Sequence, residues 1–108
     1  MFKTLQNKAC LGVLMDKSIQ KYFAMIGLGP EGSGKLYAEM MKWKQKPMDG
    51  VILEEAYQIF GEWDFAILFQ ADTNENALHF VGDIVRHIEG VAAMSTLPIS
   101  PIKDYRKT

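Results

Sequence analysis

Three groups of residues in this 108-residue chain have types and spacings that could do chemistry. Gly29 to Lys35 reads GPEGSGK and fits the glycine-rich loop G-x-x-x-x-G-K that cradles nucleotide phosphates. That loop needs Ser or Thr after the lysine to hold magnesium, and Leu36 stands there instead. Asp72, the remaining carboxylate a metal would want, reads as a helix cap. The stretch is expected to be a turn whose glycines supply positive φ, the alternative being a weak anion site at the following helix N-terminus. His79, Asp83 and His87 recur every four residues, a spacing that can ligate a metal. They point away from the Leu78, Val81, Val85 and Ile88 stripe, so a solvated helix face is expected and no metal site. Cys10 is the one cysteine and has no histidine near it in sequence. It makes neither an internal disulfide nor a nucleophile, and fits a reducing cytoplasm.

Gly61-Glu62-Trp63-Asp64 carries binding chemistry rather than catalysis. Gly61 lets a ligand approach the backbone, and exposed amides at the turn can meet a carboxylate. Asp64 can accept from an ammonium, with Tyr57 and Gln70 orienting the molecule between them. Tyr57, Gly61, Trp63, Asp64 and Gln70 are therefore the expected ligand-binding residues. The ligand would be an amino-acid-like zwitterion or a small carboxylate. The competing reading is that Gly61 and Asp64 only shape the turn.

The elements that must position these residues follow from periodicity. At 48% apolar and 23% charged, the composition is that of a globular chain, not a disordered one. A net charge of −1 gives no general attraction to nucleic acid or anionic membrane. The lysines at 35, 42, 44 and 46 have Glu39 among them and read as a solvated helix surface. Residues 1–20 fit neither period and read as an N-terminal extension; their short apolar run lacks a signal peptide's cleavage site, and no run approaches the length of a membrane span. One domain over 21–102 and a tail over 103–108 follow. Within the domain, strand signals at 21–28, 51–60, 63–72 and 91–99 alternate with helix signals at 33–46 and 72–90. Leu36, Met40 and Trp43 form the first helix's apolar stripe, and Asp72 with Glu75 suggests a capping box on the second.

The order β-α-β-β-α-β predicts an α+β, ferredoxin-like βαββαβ fold: a four-stranded antiparallel sheet with two helices on one face. Strands one and three should be central, because Pro98 and the Glu54-Glu55 pair suit edges. Pairing Phe60 with Trp63 across the hairpin puts Ala56, Phe60, Trp63, Phe65, Ile67 and Phe69 under the helices, interrupted by Glu54 and Gln58. Leu53, Tyr57, Ile59, Ala66 and Leu68, with Glu55, Asp64 and Gln70, take the other face. That face is too apolar to leave in water, so a second copy should cover it, closing a sheet-to-sheet homodimer.

Residues 57–96 contain short motifs that resemble the effector-binding domain of Lrp/AsnC regulators, their stand-alone relatives and GYD-type domains. The motifs are a G-[EY]-[YW]-D link, here Gly61-Glu62-Trp63-Asp64, then Gly90-Val91 and Thr96 around the last strand. The resemblance implies a dimeric α/β barrel, often assembled into rings of dimers. It also implies amino-acid or similar effectors bound near the link, between subunits. Residues 1–20 are too few for the family's DNA-binding helix-turn-helix, so direct contact with nucleic acid is not expected. The resulting expectation is a cytoplasmic, homo-oligomeric small-molecule sensing module with no cofactor and no chemistry of its own. The runner-up is a small cofactor-independent monooxygenase or isomerase of the same barrel type, an analogy of fold alone.

Overall fold

The computed structural model describes residues 19–107; Cys10 and nearly all of the expected N-terminal extension lie outside them. Strand β1 (Gln20–Leu28) alternates cleanly, burying Tyr22, Ala24 and Ile26 on one side. It runs into the Gly29–Ser33 turn, which leads to helix α1 (Gly34–Lys42). Leu36 is fully buried, and Met40 and Trp43 pack beside it, as the apolar stripe predicts. The helix is shorter than the 33–46 pattern. Trp43 turns extended (ψ 141°), and its ring packs edge-on against Phe80 at 5.6 Å. Beyond it, the Gln45 carbonyl accepts from the Leu53 amide at 2.6 Å, so the sheet edge takes the backbone bonds that further helical turns would need.

Strands β2 (Val51–Gln58) and β3 (Phe65–Ala71) form the hairpin, and the second helical region follows as α2 (Asn74–His79) continued by a π-helical segment (Phe80–Val85). Strand β4 (Val91–Ile99) closes the sheet, and a single 3₁₀ turn spans Tyr105–Lys107. The sheet order is β2-β3-β1-β4, all antiparallel, so strands one and three are central as expected. The fold is ferredoxin-like α+β. Its core is aromatic: Tyr22 stacks on Phe69 at 5.3 Å, and Phe69 meets Phe80 edge-on at 5.2 Å.

Several placements differ from the sequence reading. A bulge in β2 pairs Leu53 with Phe69 but Glu55 with Leu68, leaving Glu54 as the extra residue. One inserted residue reverses the faces upstream. Leu53 therefore joins the helix-packed core, and Glu54 moves to the open face, where it reaches Lys21 and Gln70. The residues from Ile59 to Asp64 form a link longer than the two residues expected. Phe60 stands 91% exposed on it instead of under the helices. The helix cap is Thr73, whose hydroxyl accepts from the Asn76 amide at 3.0 Å; Asp72 instead receives the Asn76 side chain at 2.7 Å. Leu78 is exposed and Ala77 and Phe80 are buried in its place, whereas Val81 and Val85 are buried as expected. The π segment is marked by the Arg86 N–H donating to the Val81 carbonyl at 2.9 Å.

Candidate functional site

The sheet face away from the helices carries the alternate side chains: Phe23 and Met25 of β1, Tyr57 of β2, and Ala66 and Leu68 of β3. Phe23, Met25, Tyr57, Ile59 and Ala66 line an apolar depression of about 380 Å³. The Phe23 and Tyr57 rings sit 6.3 Å apart, tilted by 56°. Further along β1, Gly27 leaves room for the Trp63 indole. A Cβ there would stand 3.6 Å from the indole edge and 3.5 Å from Ala93. Trp63 therefore lies on the open face, not under the helices. The link that carries it has left the ladder, so strand alternation no longer sets its side.

Asp64 ties this link to the sheet. Its amide donates to the Ile26 carbonyl (2.9 Å), and its carbonyl accepts from the Ile59 amide (3.0 Å). Its Oδ2 accepts from the Leu28 amide at 2.8 Å, satisfying the last backbone donor of β1. Part of the carboxylate expected to receive a ligand's ammonium thus already holds the β1 end. Gly61 has φ of +135° with open space around its missing side chain. Its value lies in backbone conformation at an exposed tip.

Tyr57 is half-exposed, and its hydroxyl donates to the Glu55 carboxylate. That hydrogen bond, then desolvation and the negative charges of Glu55 and Glu54, raise the phenol above its ordinary 10.0, with Arg106 opposing. Gln70 is elsewhere. It lies four residues along β3 from Ala66, a separation of about 13 Å, and donates to Glu54 Oε2 at 2.6 Å. Glu54 Oε1 meets Lys21 Nζ at 3.4 Å, so Gln70 belongs to a charged cluster at the opposite end of the face. The structure gathers Tyr57, Trp63, Asp64 and Gly61 toward one end and separates Gln70 from them.

Sequence reasoning missed Gly27 and Arg106. An isolated glycine inside a strand pattern signals a close approach, and could have found the first. Arg106 left no such signal. The GPEGSGK stretch is occupied by tertiary packing. The Gly29 amide donates to the Gly90 carbonyl at 2.8 Å, and a Cβ at Gly90 (φ +101°) would come within 2.7 Å of the Gly32 carbonyl oxygen. His79 pairs with Asp83, and both are exposed along with His87. Among the described residues no three His, Cys, Asp or Glu side chains group as a metal site, and no helix is long and apolar enough to cross a membrane.

No protein-family profile and no curated protein sequence matches the chain. Solved structures do. The transcriptional regulator NMB0573 of Neisseria meningitidis, in complex with L-Met, superposes with a TM-score of 0.66 at 16% identity, over 96% of this chain and 62% of the regulator. AsnC of E. coli gives 0.62 at 18% identity, over 81% of this chain and 55% of its own. The hypothetical protein PHS023 of Pyrococcus horikoshii gives 0.56 at 17% identity, over 81% and 94%. This chain thus spans little more than half of AsnC, about three-fifths of NMB0573 and nearly all of PHS023. The four-stranded sheet, its strand order and its two helices on one face have the fold of an Lrp/AsnC-like effector-binding domain.

Proposed function

We propose that the chain is a cytoplasmic small-molecule sensing module that works as a homodimer joined through the open sheet face. The ligand is an amino-acid-like molecule or small carboxylate held over the Tyr57 end of that face, beside the Gly61–Asp64 link. The observation that carries this reading is the apolar depression itself. The helices cover only one side of the sheet, and Phe23, Met25, Tyr57, Ile59 and Ala66 offer a nonpolar floor on the other. A second sheet laid over it would convert an open depression into an enclosed cavity, the form ligand sites commonly take. The Glu55–Tyr57 pair at its border supplies charge and hydrogen-bonding capacity, and Gly61 supplies accessible backbone. That NMB0573 is complexed with L-Met supports the amino-acid class. Asp64 supports the site chiefly by fixing the link that carries Trp63.

Thermal-shift screening of the purified protein against amino acids and small carboxylates tests this. A ligand at a hundredfold its dissociation constant should stabilise by ~2.7 kcal/mol. Ala66→Leu, which fills the floor of the depression, should abolish that gain while leaving circular dichroism unchanged. Stabilisation that persists in folded Ala66→Leu protein would put the ligand elsewhere.

A further inference from the structure

The depression on the open face has walls of one character and a rim of another. Phe23, Met25, Tyr57, Ile59 and Ala66 line it, with no charged side chain among them. Phe23 and Tyr57 stand on β1 and β2, the strands either side of β3. Two strand spacings put those backbones about 10 Å apart, yet the ring centroids are separated by only 6.3 Å. Both rings therefore lean inward over β3, where the small Ala66 pairs with Met25 on one side and Tyr57 on the other.

Charge enters at the rim, where the Tyr57 hydroxyl donates to the Glu55 carboxylate. An ionised carboxylate has about four acceptor sites. Among the described residues the Tyr57 hydroxyl is the one hydrogen-bond donor to the Glu55 side chain, and no cation forms an ion pair with it. Other charges are already engaged. Lys21 pairs with Glu54, the Arg106 guanidinium bonds to Asp104 at 3.0 and 3.1 Å, and Asp64 gives one oxygen to the Leu28 amide. A molecule entering the depression thus meets an apolar floor, two aromatic rings and a carboxylate without a counter-ion. An ammonium suits that set, because it can donate to the carboxylate and lie against a ring. A carboxylate of the ligand's own would meet no lysine or arginine in the lining, and would lose hydration without a partner.

We infer that Glu55, with the Phe23 and Tyr57 rings, is the ammonium-binding element of this depression, and that its ligand is an apolar amine or an apolar amino acid rather than a simple carboxylate. This rests on the ligand-site reading above and narrows it to the ammonium-bearing class; it also moves the ammonium from Asp64 to Glu55. Isothermal titration calorimetry on the full-length protein tests it with methionine and phenylalanine. Each is compared with the amine left by its decarboxylation and the acid left by removal of its amino group. The amino acids and amines should bind, and the acids about tenfold more weakly or worse. Glu55→Gln keeps an acceptor for the Tyr57 hydroxyl but removes the charge. It should weaken the amines about tenfold or more with an unchanged circular dichroism spectrum. Glu54→Gln, at a carboxylate already held by Lys21 and Gln70, should leave amine binding unchanged. Acids that bind as well as the amines, or amine binding that survives Glu55→Gln, overturn the assignment. The depression itself remains the ligand site if Ala66→Leu still abolishes that binding. Equal losses in Glu54→Gln and Glu55→Gln reduce the effect to general negative charge, and overturn the assignment as well. If none of these compounds binds the wild-type protein at millimolar concentration, the ligand-site reading fails and the assignment with it.

Discussion

Leu68 and Phe69 are adjacent in β3 and both apolar, yet they belong to different parts of the molecule. Phe69 is completely buried, stacked on Tyr22 and edge-on to Phe80. Leu68 faces the uncovered side, opposite Phe23 on β1 and Glu55 on β2. The helix-packed face is closed by the chain's own elements and is fixed by aromatic contacts. The open face mixes apolar residues with the Lys21–Glu54–Gln70 cluster and the Glu55–Tyr57 pair. A central strand shows the same apolar run whether its second face meets helices or another molecule. Only the count of covering elements separates the two cases.

Substitutions at the two positions should divide accordingly. Phe69→Ala removes a ring with no solvent exposure and leaves a cavity among Tyr22 and Phe80, so chemical denaturation should show a loss of about 3–5 kcal/mol. Leu68→Glu should leave the isolated fold recognisable by circular dichroism but weaken self-association at least a hundredfold, about 2.8 kcal/mol, by ultracentrifugation. If Leu68→Glu instead unfolds the monomer as severely as Phe69→Ala, the two faces are energetically alike and the comparison fails. The start of α2 sharpens it on a smaller scale. Thr73→Ala loses the Asn76 amide's partner and should cost ~1 kcal/mol. Asp72→Ala, at a position read from sequence as the cap, should cost about half as much or less, because the amide keeps Thr73.

The smallest expected effect is the response of the C-terminal turn to acid. Asp104 is held below its ordinary 3.8 by the Arg106 side-chain hydrogen bond and then by the Arg106 backbone amide. A carboxyl depressed in the folded state contributes stability above its unfolded pKa and loses it as pH falls through the folded value. Amide signals of Tyr105 and Arg106 should therefore lose protection below about pH 4, while those of β1 and β3 persist. Loss of all of them together would mean that the C-terminal turn and the core unfold as one unit.

The architecture was legible where one local signal sufficed. The apolar run of strand length at 21–28, the limits of 91–99, and the prolines and charges of edge strands all act within a few residues, and each survived into the fold. The hairpin register near its link was legible too: the count from Phe60 and Trp63 leads to the observed Gln58–Phe65 and Tyr57–Ala66 pairs. The candidate site was legible in part. Tyr57 occupies the open face as expected, whereas Trp63 reached it only because the link departs from the ladder.

By itself the sequence determined the order of the elements, the central position of strands one and three, and apolar residues on the second face of the sheet. These follow from periodicity, proline and charge, which are properties of short windows. Tertiary structure decided the rest. The bulge at Glu54 exchanged the faces of Leu53 and Glu54, because one inserted residue in a period-two pattern reverses every side chain on one side of it. The second helix buries Ala77 and Phe80 in place of Leu78, beside the expected Val81 and Val85. Asp64 became a tie to Leu28, and Glu54 came to meet Lys21, through contacts between residues 36 and 33 positions apart in the sequence. No local pattern carries such a contact, since the residues that make it become neighbours only once the sheet has formed.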